Sequence, residues 1–401
     1  MSEIRFEVIK KIAETRFKFK DLKKISQFDS VSPPSVFIGS KLRYPEMNVG
    51  ILSPLQREED AWIYDDAKYW ANNDFQISDV INLRESLLNS RFKTRATDVR
   101  NTNKFLDIAK EIATASKPVD IEIKLKKEIS VDRKKDKITM PSALGAPLEK
   151  ARITSNVSVH QKVDKVMNDE IKSSEALKML YKFNFNEYTL SKILSVGVLG
   201  LKKDKRLVPT RWSITATDDT LGKNLIENIK TFKWIENYEL FFGEFLGNQY
   251  LIMLFPNVWS YELFELYYPG SSWNPSTEIK ASTDFEFYKG RKDYASNCAG
   301  GYYASRLPIL EYLNLIKRQA SVLVIRLETP TYWAALGVWV VRESVRKALA
   351  RARMNFDSRD ELIESVKKIA KIKYDFDCQF IFNKSKLLEN IKTQKKLEEW
   401  I

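Results

Sequence analysis

Residues 238–267 read YELFFGEFLGNQYLIMLFPNVWSYELFELY. Three aromatic-rich runs, 238–246, 249–255 and 259–267, have the length and composition of strands, and Gly247-Asn248 between the first two supplies a hairpin turn. The economical arrangement is an antiparallel meander. Downstream, 284–288 alternates as a further strand and sets Asp284 and Glu286 on one face. Gly300-Gly301 opens an amphipathic helix over 302–318, an apolar strand follows at 320–327, and 339–353 reads as another helix. Strands followed by helices without regular alternation predict an α+β fold, with a central, mainly antiparallel sheet and flanking helices.

Upstream, helical periodicity dominates. Residues 3–28 form an amphipathic segment, 32–39 a loop running into a short strand, and 57–70, 76–89 and 103–116 helices. Residues 121–126 alternate as a strand, and 157–201 return to helical spacing. Asp218-Asp219 reads as the cap of a helix over 221–229. The expected organisation is a mainly helical N-terminal region (1–126), then a charged, Pro/Gly-punctuated loop or soft boundary (127–150). An α+β core domain (151–383) and a flexible C-terminal tail (384–401) complete it.

Composition bounds the function classes. A chain of 401 residues that is 44% hydrophobic and 12% aromatic can bury a sizeable core in two or three domains, and is not a disordered chain. Its net charge of +13 points to a polyanionic partner such as DNA. Cys298 and Cys378 lie too far apart for a metal pair, and a lone His160 cannot build a histidine cluster, so zinc is not expected. His160 also has no nucleophile elbow to serve. The charged N-terminus is no signal peptide and no apolar run approaches membrane-spanning length, so a cytoplasmic protein with no membrane partner is expected. Without a glycine fingerprint after a strand or a Walker A string, ATP-driven and Rossmann dehydrogenase readings lose their footing.

The chain closes on Gln394-Lys395-Lys396-Leu397-Glu398-Glu399-Trp400-Ile401. One tight helical turn would gather Leu397, Trp400 and Ile401 into an apolar plug, with Gln394 one turn away. Leu387, Leu388 and Ile391 share a helical face, but at about 100° per residue the terminal trio centres roughly 130° away from it. The trio therefore calls for a partner of its own. This pattern resembles the clamp-binding peptide, or PIP box, of proteins that dock on the sliding clamp PCNA.

The strings at 34–39, 207–219, 284–295, 297–306 and 319–342 resemble the archaeal Nre family of DNA repair proteins. LVPTRWSITATDD (207–219) and FYKGRKDYASNCAGGYYASRL (287–307) carry the likeness most specifically, and it spans nearly the whole chain. The resemblance implies a role in DNA damage tolerance and a C-terminal PCNA-binding motif, which falls on Gln394, Leu397, Trp400 and Ile401. Some relatives carry an N-terminal cysteine cluster suggestive of zinc; this chain has none, so no zinc-dependent role transfers to it.

Three chemistries remain open for the body. A DNA-binding factor would place Lys41, Arg43, Arg95, Arg100, Arg211, Lys289, Arg291 and Lys292 on phosphates, with Tyr44, Trp212 or Tyr288 stacking on bases. An enzyme similar to ADP-ribosyltransferases would use Arg211, Ser213, Thr215 and Glu286, with NAD as cofactor. A metal-dependent nuclease would gather Asp218, Asp219, Asp284, Glu286 or Asp293 around Mg²⁺ beside Lys289 or Lys292. For each basic residue the plain alternative is an ordinary solvated surface charge, and for Asp218-Asp219 it is the helix cap.

Overall fold

A computed structural model describes residues 26–39, 42–128 and 143–393. The chain divides into two compact units, Met1–Leu221 and Gly222–Ile401. Among the described residues each unit is built on its own six-stranded sheet with helices, an α+β architecture.

The first sheet has the order β1-β5-β6-β4-β3-β2, from β1 (Gln27–Ser32), β2 (Val36–Gly39), β3 (Glu46–Pro54), β4 (Leu87–Arg95), β5 (Val119–Leu125) and β6 (Leu144–Ile153). All neighbours are antiparallel except β4 and β6. Residues 27–125, where helical spacing dominates the sequence reading, thus supply five of its strands. The expected helices are there but shorter: α1 (Ala67–Asn72), α2 (Ile77–Ser86) and α3 (Lys104–Thr114). Asn103 caps α3, its Oδ1 accepting from Phe105 N and Leu106 N at 3.2 Å. Leu106, Ile112 and Ala113 of α3 are buried, as are Val49 and Ile51 of β3. Helices α4 (Gln161–Asn168), α5 (Ser173–Lys182) and α6 (Glu187–Ser195) follow.

Helix α7 (Thr210–Ile229) starts earlier than the sequence reading places it. Pro209 presets the first turn, and its carbonyl accepts from Trp212 N and Ser213 N at 2.8 and 2.9 Å. Asp218 and Asp219 therefore lie inside the helix and do not cap it, Asp218 being buried.

The second sheet runs β10-β9-β11-β8-β7-β12. Its strands are β7 (Tyr238–Phe245), β8 (Asn248–Phe255), β9 (Ser260–Tyr267), β10 (Lys280–Glu286), β11 (Ser321–Glu328) and β12 (Met354–Phe356). The three expected strands form, and β7 and β8 pair as the hairpin, but β9 does not complete a meander. Instead β11 inserts between β8 and β9, antiparallel to the first and parallel to the second. All eight β11 residues are buried, which suits the centre of a sheet covered on both faces.

One face of this sheet presents Leu251, Met253, Phe255, Phe264, Leu266, Leu323, Ile325 and Leu327 to Leu362, Val366 and Ala370 of α10 (Arg359–Tyr374). Ile381 of α11 (Gln379–Lys384) and Leu387 and Leu388 of α12 (Lys386–Thr393) join them. Each buried aliphatic side chain contributes about 1.5–3 kcal/mol. Glu262 faces the foot of α12 and accepts from Ser385 Oγ at 2.5 Å, Lys386 N at 3.1 Å and Leu387 N at 3.0 Å. These are the orphan donors of a helix N-terminus, so a carboxylate on β9 fastens the last described helix. The remaining helices are α8 (Ala299–Ile316) and α9 (Val338–Leu349), which pack on each other.

Candidate nucleic-acid interface

Strand β4 reads Leu-Leu-Asn-Ser-Arg-Phe-Lys-Thr-Arg. Alternation puts Asn89, Arg91, Lys93 and Arg95 on one face and Ser90, Phe92 and Thr94 on the other. Ser90 and Thr94 are buried, and Phe92 meets Phe105 of α3 with ring centroids 5.3 Å apart, so the second face is the inward one. Arg91, Lys93 and Arg95 are exposed. Cross-strand register extends this outer face: Arg91 lies opposite Gly50, and Gly50 opposite Phe37. Lys93 lies opposite Asn48, which pairs with Gly39.

The surface is flat where the glycines lie. A Cβ on Gly145 would come within 3.0 Å of the Arg91 guanidinium, and one on Gly50 would overlap the Asn89 amide. Both side chains thus lie down on neighbouring glycine backbone. Phe37 is 42% exposed and its ring edge lies 3.7 Å from where a Gly39 Cβ would stand. β2 is the edge strand, and its Ile38 N donates to Thr210 Oγ1 at 2.8 Å. That bond sets the first turn of α7, with exposed Arg211 and Trp212, at the sheet edge. Arg43 and the 53% exposed Tyr44 stand in the β2–β3 connection, while Lys41 lies outside the described residues. Arg43, Arg91, Lys93, Arg95 and Arg211 pair with no carboxylate among the described residues. Arg100 is engaged otherwise, its Nε donating to Lys205 O at 2.8 Å.

In the second unit the β10–α8 connection forms an aromatic-basic turn. Gly290 N donates to Phe287 O at 2.7 Å, and Gly290 has φ +76°, a conformation that suits glycine. Phe287, Tyr288, Lys289, Lys292 and Tyr294 are exposed around it, with Lys230 Nζ 4.5 Å from the Tyr288 ring centre. Arg291 is not free for phosphate. Its Nη2 lies 3.2 Å from Asp284 Oδ1, its Nη1 donates to Phe285 O at 2.7 Å, and it sits over the Tyr302 ring.

The two carboxylates of β10 share a face but hold structure. Asp284 Oδ2 accepts from Asn297 N and Cys298 N at 2.9 and 2.8 Å, capping the start of α8. Glu286 is fully enclosed: Oε2 meets Arg306 Nη1 at 2.7 Å, and Oε1 accepts from Trp259 Nε1 at 3.2 Å. Of the other candidate catalytic residues, Ser213 Oγ donates to Thr210 O at 2.9 Å and Thr215 Oγ1 to Arg211 O at 3.4 Å. Both are on α7, where positions two apart point to different sides of the helix. Arg211, Ser213 and Thr215 belong to the first unit and Glu286 to the second.

Sequence reading passed over a second interior ion cluster. Arg326, inside the apolar run of β11, meets Glu265 Oε1 at 2.5 Å and Glu328 Oε2 at 2.9 Å, and donates twice to Asn248 Oδ1 at 3.0 and 2.6 Å. Tyr267 OH donates to Glu265 Oε2 at 2.8 Å, and its phenol is pushed far up by burial and then by that carboxylate. Burial likewise raises Glu328 against the pull of Arg326. Phe37, Arg91 and Lys93 join the candidate surface, and for Arg91 and Lys93 the strict alternation of Arg91-Phe92-Lys93-Thr94-Arg95 is the signal. Residues 394–401, with Gln394, Leu397, Trp400 and Ile401, lie outside the described residues. Among the described residues no three metal-ligating side chains converge, and no helix is long and apolar enough to cross a membrane.

Comparison with known proteins places the chain. The family description Archaeal Nre, N-terminal matches residues 2–274, and Archaeal Nre, C-terminal matches residues 286–400. A Haloferax volcanii protein named DNA repair protein NreA is 40% identical over 329 residues, 80% of this chain and 78% of that one. Two Archaeoglobus fulgidus proteins are similar. The one named DNA repair protein NreA is 39% identical over 355 residues, 88% of each chain. The one named DNA repair protein NreB is 36% identical over 338 residues, 84% of each chain. No solved structure matches the chain. With both halves matched in order and long alignments at this identity, the chain belongs to the archaeal Nre family.

Proposed function

We propose that this protein is a DNA repair factor that binds DNA through its basic surface and docks on the sliding clamp PCNA through Gln394, Leu397, Trp400 and Ile401. The observation that carries the DNA-binding half is the set of exposed cations, Arg43, Arg91, Lys93, Arg95 and Arg211, with no carboxylate partner among the described residues. Charges kept in water and unpaired on a +13 chain gain most from a polyanion. The names of the relatives support the repair context. The clamp half rests on the terminal pattern, and a clamp ring encircling DNA would raise the local DNA concentration seen by the body.

Two measurements test it. DNA binding followed across a salt series should weaken steeply with added salt, and an affinity indifferent to salt would overturn the DNA half. Calorimetric titration into PCNA should lose its signal when residues 394–401 are deleted, with the body's melting temperature unchanged. Undiminished clamp binding by the truncated chain would overturn the tail assignment. An ADP-ribosyltransferase-like site or a Mg²⁺-dependent nuclease would need carboxylates open to a substrate, whereas Asp284 and Glu286 are committed to Arg306, Trp259 and backbone donors. NAD titration and incubation of DNA with Mg²⁺ or Mn²⁺ test those two activities directly.

A further inference from the structure

We propose that the open face of the first sheet binds single-stranded DNA, its backbone running along Arg91, Lys93 and Arg95 and a base stacked on Phe37. This deepens the DNA-binding reading above and rests on it. Three features of the face select a single strand over a duplex.

The first is the spacing of the charges. Positions 91, 93 and 95 stand on the same side of one strand, so their Cα atoms repeat at about 6.8 Å. That repeat is close to the step between successive phosphates of an extended polynucleotide. None of the three is held by a carboxylate among the described residues, although Glu46 stands opposite Arg95 in the register.

The second is the exposed ring. Phe37 sits on the edge strand with 42% of its surface open to solvent. A base offers it a π-face only when unpaired and unstacked from its neighbours. Gly50 lies between Phe37 and Arg91 in one cross-strand row, and Gly39 adjoins the ring. Gly39 carries no side chain beside the ring, and over Gly50 the Asn89 amide lies down on the backbone. The Arg91 guanidinium, lying against Gly145, is a further flat cation beside that row.

The third is shape. The major groove admits a helix or a two-stranded ribbon, and a six-stranded sheet presented face-on is too broad to enter it. A duplex laid on such a face offers its outer phosphates, and bringing a base to Phe37 would require opening the minor groove and unstacking a base step at a cost in free energy.

The test uses fluorescence anisotropy of the full chain with labelled oligothymidylate and with a duplex of equal length. The single strand should bind more tightly. Phe37→Ala should weaken single-strand binding by roughly tenfold, with Phe37→Tyr retaining it. The combined Arg91→Gln, Lys93→Gln, Arg95→Gln variant should flatten the log–log salt dependence for the single strand by about 2, three phosphates at about 0.7 each. Because these side chains are exposed, the variants should melt with the parent chain, and the melting curves separate lost binding from lost folding. Salt-dependent DNA binding that ignores both the Phe37→Ala and the triple change overturns this proposal and leaves the DNA-binding reading standing. Binding of neither DNA overturns both.

Discussion

Arg306 Nη1 lies 2.7 Å from Glu286 Oε2, with the two side chains 1% and 0% exposed. A pair this deep is costly to break from one side, because the survivor becomes an uncompensated buried charge. Arg306→Met should therefore destabilise the fold by about 3–5 kcal/mol, whereas Arg306→Met combined with Glu286→Leu should recover most of that loss. Chemical denaturation of the single and double variants measures both. Equal destabilisation by the double variant would mean that the pair is dispensable and the packing is not.

Gly301 is a second sensitive point of the same helix. A Cβ there would meet Glu265 Oε1 at 2.5 Å. That oxygen cannot swing away freely, since Arg326 holds it at 2.5 Å and Tyr267 holds its twin at 2.8 Å. Gly301→Ala would gain up to about 1 kcal/mol of helix propensity. Overpacking costs about 1–3 kcal/mol, so the net effect should be a lower melting temperature. A higher one would show that the cluster can relax.

Asp65 gives the first unit an acid limit. Burial raises its carboxyl, but Lys192 at 3.5 Å and Arg84 at 2.5 Å outweigh that, so it titrates below the ordinary value. A carboxyl depressed on folding adds stability above its unfolded pKa of about 4 and loses it as the pH falls through the folded value. Asp65→Asn should lower the melting temperature at neutral pH and flatten its decline in acid. Parallel acid profiles for the two proteins would contradict this.

Both cysteines should be inert in the native state. Burial pushes the Cys378 thiol up to about 11, and burial with the Glu265 charge pushes Cys298 higher still. A chromogenic disulfide reagent at about pH 8 should react slowly with the folded chain and quickly with both thiols in denaturant. Fast reaction without denaturant would reveal local opening.

Strand identity in the second unit was legible because 238–267 holds aromatic-rich runs of strand length, but composition names a strand and not its neighbour. The partner that separates β8 from β9 is β11, some 50 residues further on, and only its unbroken burial marks it as central. In the first unit Leu87 and Leu88 fit the helical spacing of α2, which drew the helix over the start of β4 and hid the basic stripe. The shared face of Asp284 and Glu286 followed from alternation. Their commitment to Arg306 and to the start of α8 did not, because that pairing depends on where a helix 20 residues later docks. Arg326 was masked for a related reason: an apolar run absorbs one arginine in the count, and its carboxylates come from two different strands.

The grip of Glu262 on the foot of α12 carries a mechanical consequence. Thr393 is the last described residue of that helix, and Gln394 is next in sequence. A load applied to the chain beyond Thr393 passes into α12, and from there through Glu262 to β9 in the sheet. Stripping α12 from the sheet thus means breaking three hydrogen bonds to one carboxylate together with the apolar seat of Leu387 and Leu388.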